Sequence, residues 1–196
     1  MIYMFLAPGF EEVEALFPLD LLRRANLSVK TVAIGGDRTV VGSHGIPVTA
    51  DITELEWYSD PDAAMPDAVI LPGGMPGTTH LAHDRTVEKA LAAANARGAW
   101  IAAICAAPMV LGQQGYLRGR RATCFPGFEK YLDGATEIGG SVIRDGSPAH
   151  GGNPAYGGGV ITARGVGVAM EFGLELVSVL ASPEEAGAIR AAIQAQ

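Results

Sequence analysis

Three short segments carry groups able to do chemistry. Cys105 follows the apolar run 100–104 and is itself followed by Ala106-Ala107-Pro108. A strand that enters a small-residue turn and then a helix is the shape of a nucleophile elbow. A thiol at a helix start faces exposed N–H groups and the positive end of the helix dipole, which predicts a thiolate at lowered pKa. Position alone also fits a small buried hydrophobe, the usual role of a free cysteine. Gly73-Gly74 close the apolar run 67–71. Paired glycines there let backbone N–H groups approach a ligand and stabilise a developing oxyanion, or they make a plain tight turn. With no Gly-Lys-Ser/Thr after them they are not a phosphate loop. Glu14 lies near the start of the first helical segment, three residues from Phe17. A carboxyl beside a thiol could donate a hydrogen bond when neutral and act as general base when ionised. The plainer reading is an exposed acid favoured by the helix dipole, and Glu11 and Glu12 suit it well.

The remaining polar groups are less organised. His44, His80, His83 and His150 show no metal-ligand spacing, and Arg118, Arg120 and Arg121 read as a solvated turn around Gly119. Cys124, at the end of a short apolar run, is either a core residue or a second redox thiol. Two cysteines alone make neither a disulfide framework nor a zinc site, so no metal is implied.

Positioning such groups requires a sheet. Apolar runs at 2–6, 29–34, 67–71, 100–104, 122–124, 141–144 and 160–163 predict strands. Helical patterns occupy 12–24, 84–97, 108–114, 168–180 and 183–195, with Pro18 expected to kink the first or limit its early part. Segments 39–41 and 47–50 flank Gly42-Ser43-His44-Gly45 as a hairpin, and 145–159 reads as a long Gly/Pro/Ser-rich turn. Alternation of strand and helix predicts a mostly parallel sheet with helices on both faces. In such sheets ligands bind beyond the carboxyl ends of the strands, where all three segments lie.

The 196 residues suit one domain, 1–196, and the net charge of −7 argues against nucleic acid or an anionic membrane surface as partner. The apolar start, 1–6, is broken at once by Pro8, Gly9, Glu11 and Glu12, so neither a secretory signal nor a membrane helix is expected. A reduced, cytoplasmic setting and small-molecule chemistry fit this composition.

Taken in order, Gly9-Phe10-Glu11-Glu12-Val13-Glu14, Val69-Ile70-Leu71-Pro72-Gly73-Gly74, Ala102-Ala103-Ile104-Cys105-Ala106-Ala107-Pro108, Thr123-Cys124-Phe125-Pro126-Gly127 and Ala163-Arg164-Gly165 resemble the ThiJ/PfpI superfamily, and within it the DJ-one branch. The resemblance runs over almost the whole chain. It implies a flavodoxin-like three-layer α/β sandwich, usually homodimeric and free of cofactor. It implies Cys105 as nucleophile, Glu14 as its protonated neighbour, Gly73 and Gly74 as oxyanion pocket, Ala106 contributing its backbone, and Arg164 in a structural Arg-Gly motif. The sequence departs from relatives that place a histidine directly after the cysteine, where it has Ala106, and from those with a histidine where it has Phe125. A Cys-His hydrolase is therefore disfavoured. The resemblance implies attack of Cys105 on a small aldehyde such as methylglyoxal, of glyoxalase or deglycase type. Its alternatives are a redox sensor that oxidises Cys105 to sulfinate, and an isocyanide hydratase, whose branch carries an aspartate and a threonine where this chain has Glu14 and Ala106.

Overall fold

The computed structural model describes residues 1–146 and 159–195. The chain opens with β1 (Ile2–Leu6), α1 (Glu12–Arg24) and β2 (Val29–Ala33), then the antiparallel hairpin β3 (Thr39–Val41) and β4 (Pro47–Thr49). Next come β5 (Ile52–Thr53), α2 (Glu54–Trp57), β6 (Ala68–Leu71), α3 (Gly77–His83), α4 (Arg85–Arg97) and β7 (Trp100–Ile104). The rest is α5 (Pro108–Gln113), β8 (Arg121–Ala122), β9 (Glu137–Ile138), β10 (Val142–Asp145), β11 (Val160–Ala163), α6 (Ala169–Leu180) and α7 (Pro183–Ala192).

Seven strands form the central sheet in the order β10-β11-β7-β6-β1-β2-β5. All pairs are parallel except β10 with β11 at one edge. Successive side chains of a strand point to opposite faces, so each continuous apolar run feeds two cores. In β1, Tyr3 and Phe5 join Leu81, Val87, Leu91 and Val110 on one face. Ile2, Met4 and Leu6 join Leu22, Phe172, Leu176 and Val177 on the other. Strand β7 splits the same way, Ile101 and Ala103 against Trp100, Ala102 and Ile104. This is the expected three-layer sandwich with helices on both faces.

Helix boundaries follow local chemistry. Asp84 caps α4 by accepting the Thr86 and Val87 N–H groups, and Gly98 ends it in the left-handed region at φ 71°. Helix α1 continues through Pro18 to Arg24, so the proline does not limit its early part. Its neighbour α6 holds it in place: Gly173 lets the two helices approach so closely that a Cβ there would lie 2.7 Å from Leu21 Cδ1 and 2.9 Å from Pro18 Cα.

Four expectations are corrected. The strand expected at 122–124 is the shorter β8, Arg121–Ala122, which pairs with β9 outside the main sheet, and Cys124 lies beyond it. Elements β5, α2 and α3 were not expected; they are two, four and seven residues long, too short for a clear periodicity. The last helix ends at Ala192 rather than continuing to 195. The arginine cluster is not merely solvated: Arg120 and Arg121 pair with Asp145 at 3.7 and 3.4 Å, tying β8 to β10. The long turn 145–159 falls largely outside the described residues, as does His150.

Because the Pro18 backbone cannot retreat, Gly173→Val is expected to cost about 1–3 kcal/mol of stability. A fall in Tm with unchanged secondary-structure content would be the measured sign.

Candidate active site

The carboxyl ends of β1, β6, β7 and β11 lie side by side. Each delivers one part of a single site. Cys105 follows β7 directly and sits in the left-handed region at φ 64°. That conformation is costly for a residue with a Cβ and persists only where surroundings over-determine it. Here both backbone groups of Cys105 are held: its N–H donates to Ala163 O at 2.8 Å, and its carbonyl accepts from Phe125 N–H at 2.8 Å. The segment bearing Phe125 is pinned in turn, since Thr123 N–H donates to Thr162 Oγ1 on β11 at 2.9 Å.

Glu14 lies in the first turn of α1 and is 1% exposed. Its Oε2 accepts the Gly73 N–H at 3.1 Å, and its carboxyl is also hydrogen-bonded with the Cys105 thiol and the Val166 N–H. Gly73 has no room for a side chain: a Cβ would lie 2.6 Å from both Cys105 Cβ and Glu14 Oε2. Gly74, at φ 90°, packs against the Glu11 N–H, which a Cβ would approach to 2.4 Å. The glycines thus let the turn after β6 close onto both the elbow and the start of α1. The N–H groups of Gly74 and Ala106 reach the Cys105 sulfur.

All five expected site residues, Cys105, Glu14, Gly73, Gly74 and Ala106, therefore meet in one place, with two changes of detail. The Gly73 N–H is committed to Glu14, which leaves Gly74 and Ala106 as the donors beside sulfur. Nor does the helix start lower the thiol pKa. Burial pushes Cys105 up to about 12, and the charge and hydrogen bond of Glu14 push the same way, against the two N–H groups. Helix α5 has six residues, too short a dipole to overcome this. Burial pushes Glu14 up to about 7, aided by the like charge of Glu11. The pair loses its first proton near neutrality and resists losing the second, so around neutral pH it holds at most one negative charge, shared between sulfur and carboxyl.

Two further contacts escaped the sequence. Val166 joins the site through a backbone N–H, which no side-chain pattern reveals. Glu12, expected to be an exposed helix-start acid, is 2% exposed. It accepts His44 N–H and Nδ1 at 2.8 Å each and Ile46 N–H at 3.4 Å, latching the hairpin to α1 across 32 and 34 residues of sequence. Glu11, Glu12 and His44 also form the one group of three possible metal donors found among the described residues. The Glu12 bonds already account for that cluster. Cys124 is buried, and burial together with the Glu129 charge pushes its thiol up to about 11, which opposes a second redox role.

The DJ-1/PfpI family model matches residues 1–179. The chain belongs to that family. It is 32% identical to the protein dj-1beta of Drosophila melanogaster over 92% of this chain and 89% of that one. A protein from Pyrococcus abyssi named a deglycase is 32% identical over 72% of this chain and 82% of its own. The oxidized DJ-1 structure from Toxoplasma gondii superposes with a TM-score of 0.86 at 29% identity, covering 99% of this chain and 97% of that one. The family fold agrees with the flavodoxin-like sandwich expected above.

Two outcomes follow from the geometry. Glu14→Gln removes the charge that opposes the thiolate, so the pH midpoint for Cys105 alkylation should fall below about 12; an unmoved midpoint would place Glu14 outside the pair. The latch has its own pH window. Glu12 is held at about 2 against an ordinary 4.5, so its contribution is lost as pH falls below 4.5. His44 is raised from 6.5 by Glu12, so its contribution is full below 6.5 and fades as pH rises through the raised value. The stability difference between wild type and Glu12→Gln, measured by denaturant titration, should peak between those limits, with a loss of about 1–3 kcal/mol.

Proposed function

We propose that this chain is a cysteine-dependent, cofactor-independent enzyme acting on small reactive carbonyls, converting a 2-oxoaldehyde such as methylglyoxal to its 2-hydroxy acid. The observation that carries this reading is the buried Glu14 carboxyl, near neutrality in pKa, bonded to a partly exposed Cys105. Ionised Glu14 takes the thiol proton as sulfur attacks the aldehyde carbon. The oxygen of the resulting hemithioacetal faces the Gly74 and Ala106 N–H groups, which oppose its developing charge. Glu14 returns the thiol proton to that oxygen and, ionised again, carries the proton of the aldehyde carbon to the neighbouring carbonyl carbon, while the hydroxyl proton passes to the neighbouring carbonyl oxygen. The first carbon is oxidised to a thioester and the second reduced to an alcohol, so no external redox partner is needed. Water hydrolyses the thioester, restoring the thiol and releasing the hydroxy acid. The deglycase name of the Pyrococcus abyssi relative supports this class of chemistry.

A redox-sensing role is the second reading, favoured by the partial exposure of Cys105 and by the oxidized state in which the Toxoplasma gondii relative was solved. We also infer a homodimer: Val13 and Leu16 on α1 and Val41 and Ile46 on the hairpin leave apolar side chains exposed on neighbouring elements. Among the described residues no helix is long and apolar enough to cross a membrane.

Lactate formed from methylglyoxal tests the enzyme reading. Wild type should turn over, Cys105→Ala should lose activity by at least about 100-fold, and kcat/KM should rise with pH through about 7 as Glu14 ionises. In Glu14→Gln that inflection should vanish. Absence of turnover, with ready two-oxygen oxidation of Cys105 by peroxide, would shift the assignment to the sensor.

A further inference from the structure

The surroundings of the pair are unlike its interior. Met75, Phe125 and Val166 are apolar, yet 49%, 46% and 49% exposed. Each sits on a segment that bonds the reactive pair. Met75 follows Gly74, whose N–H reaches the sulfur. Phe125 donates its own N–H to the Cys105 carbonyl, and Val166 donates its own to Glu14. The Phe125 ring is braced: its Cδ2 lies 3.4 Å from where a Gly165 Cβ would stand, beside Val166, and its edge meets Phe128 at a centroid distance of 6.5 Å. The carboxylates of Glu14 and Glu11 supply the charges that act on the pair.

We infer that Met75, Phe125 and Val166 form an apolar rim over Cys105 that selects uncharged carbonyl compounds bearing an aryl or bulky alkyl group over the smallest ones. The inference rests on the enzyme reading for its substrates and adds their class. An aldehyde carbon at sulfur, with its oxygen toward Gly74 and Ala106, leaves its substituent directed outward to these side chains. An aromatic substituent meets a fixed ring in Phe125, a thioether in Met75 and a branched alkyl in Val166, each a favourable apolar contact. An anionic substituent would instead meet the negative charge of the pair and Glu11. Apolar pocket contacts of this size discriminate between substrates by about tenfold or more.

The test compares kcat/KM for phenylglyoxal and methylglyoxal in wild type and Phe125→Ala. Wild type should favour phenylglyoxal, and the variant should lose roughly tenfold more on phenylglyoxal than on methylglyoxal. A wild-type preference for methylglyoxal, or an equal loss on both, would overturn the rim. Alkylation of Cys105 by N-phenyl and N-methyl iodoacetamide, each normalised to free cysteine, separates this from the enzyme reading because it requires only the thiol. A phenyl preference that falls in Phe125→Ala, in a protein without turnover, would remove the glyoxalase assignment and keep the rim. Turnover of both aldehydes, with no effect of Phe125 in either experiment, would remove the rim alone.

Discussion

A carboxyl group almost fully withdrawn from water, against a half-buried thiol, is the constraint from which the rest of the site follows. Burying an unpaired charge is prohibitive, so the Glu14 carboxylate can exist only where hydrogen-bond donors converge on it. Those donors come from three places far apart in sequence: the turn after β6, the elbow after β7, and the loop after β11. Gly73 is the residue that makes the convergence possible, since any side chain there would occupy the space of both reactive groups. The same burial limits the pair to one negative charge, which is what makes one proton mobile between carboxyl and sulfur.

A parallel sheet is what brings these segments together. Strands β1, β6, β7 and β11 are consecutive neighbours running in one direction, so their carboxyl ends share an edge. Backbone bonds then carry the elbow's strained conformation: β11 holds the Cys105 N–H, and the segment it pins through Thr162 holds the Cys105 carbonyl. Cys105 is thus fixed from both sides by the neighbouring strand. The unfavourable φ is maintained by tertiary contacts rather than by local preference.

The central strands, their mostly parallel arrangement and the placing of Cys105, Glu14 and Gly73 at one sheet edge were legible because they depend on long apolar runs and on residue types at strand ends. Both signals are local in sequence and large. What was hidden depends on contacts between distant residues. Glu12 looked like its neighbours in the first turn of α1, yet the hairpin folds over it and His44 gives it a partner. Pro18 could have limited the early part of α1, but the helix continues through it, packed against α6. The direction of the thiol's pKa shift is hidden for the same reason. A helix start is visible in sequence, whereas the depth at which the thiol and its acidic neighbour lie is not.

The one-charge limit also relates the two functional readings. A thiol oxidised to a sulfinate carries a negative charge of its own near neutral pH, and beside it Glu14 could remain only as the neutral acid, its O–H donated to a sulfinate oxygen. The base needed for the carbonyl reaction would then be absent, and the nucleophile consumed. Sulfinate formation would not add a second function to a working enzyme; it would convert the pair from a proton-exchanging state to a locked one. The N–H groups of Gly74 and Ala106 would serve both states, facing a carbonyl oxygen in one and a sulfinate oxygen in the other. Enzyme and sensor would on this account be alternative occupants of one charge site, with the balance between them set by whether a carbonyl compound or an oxidant reached the sulfur first.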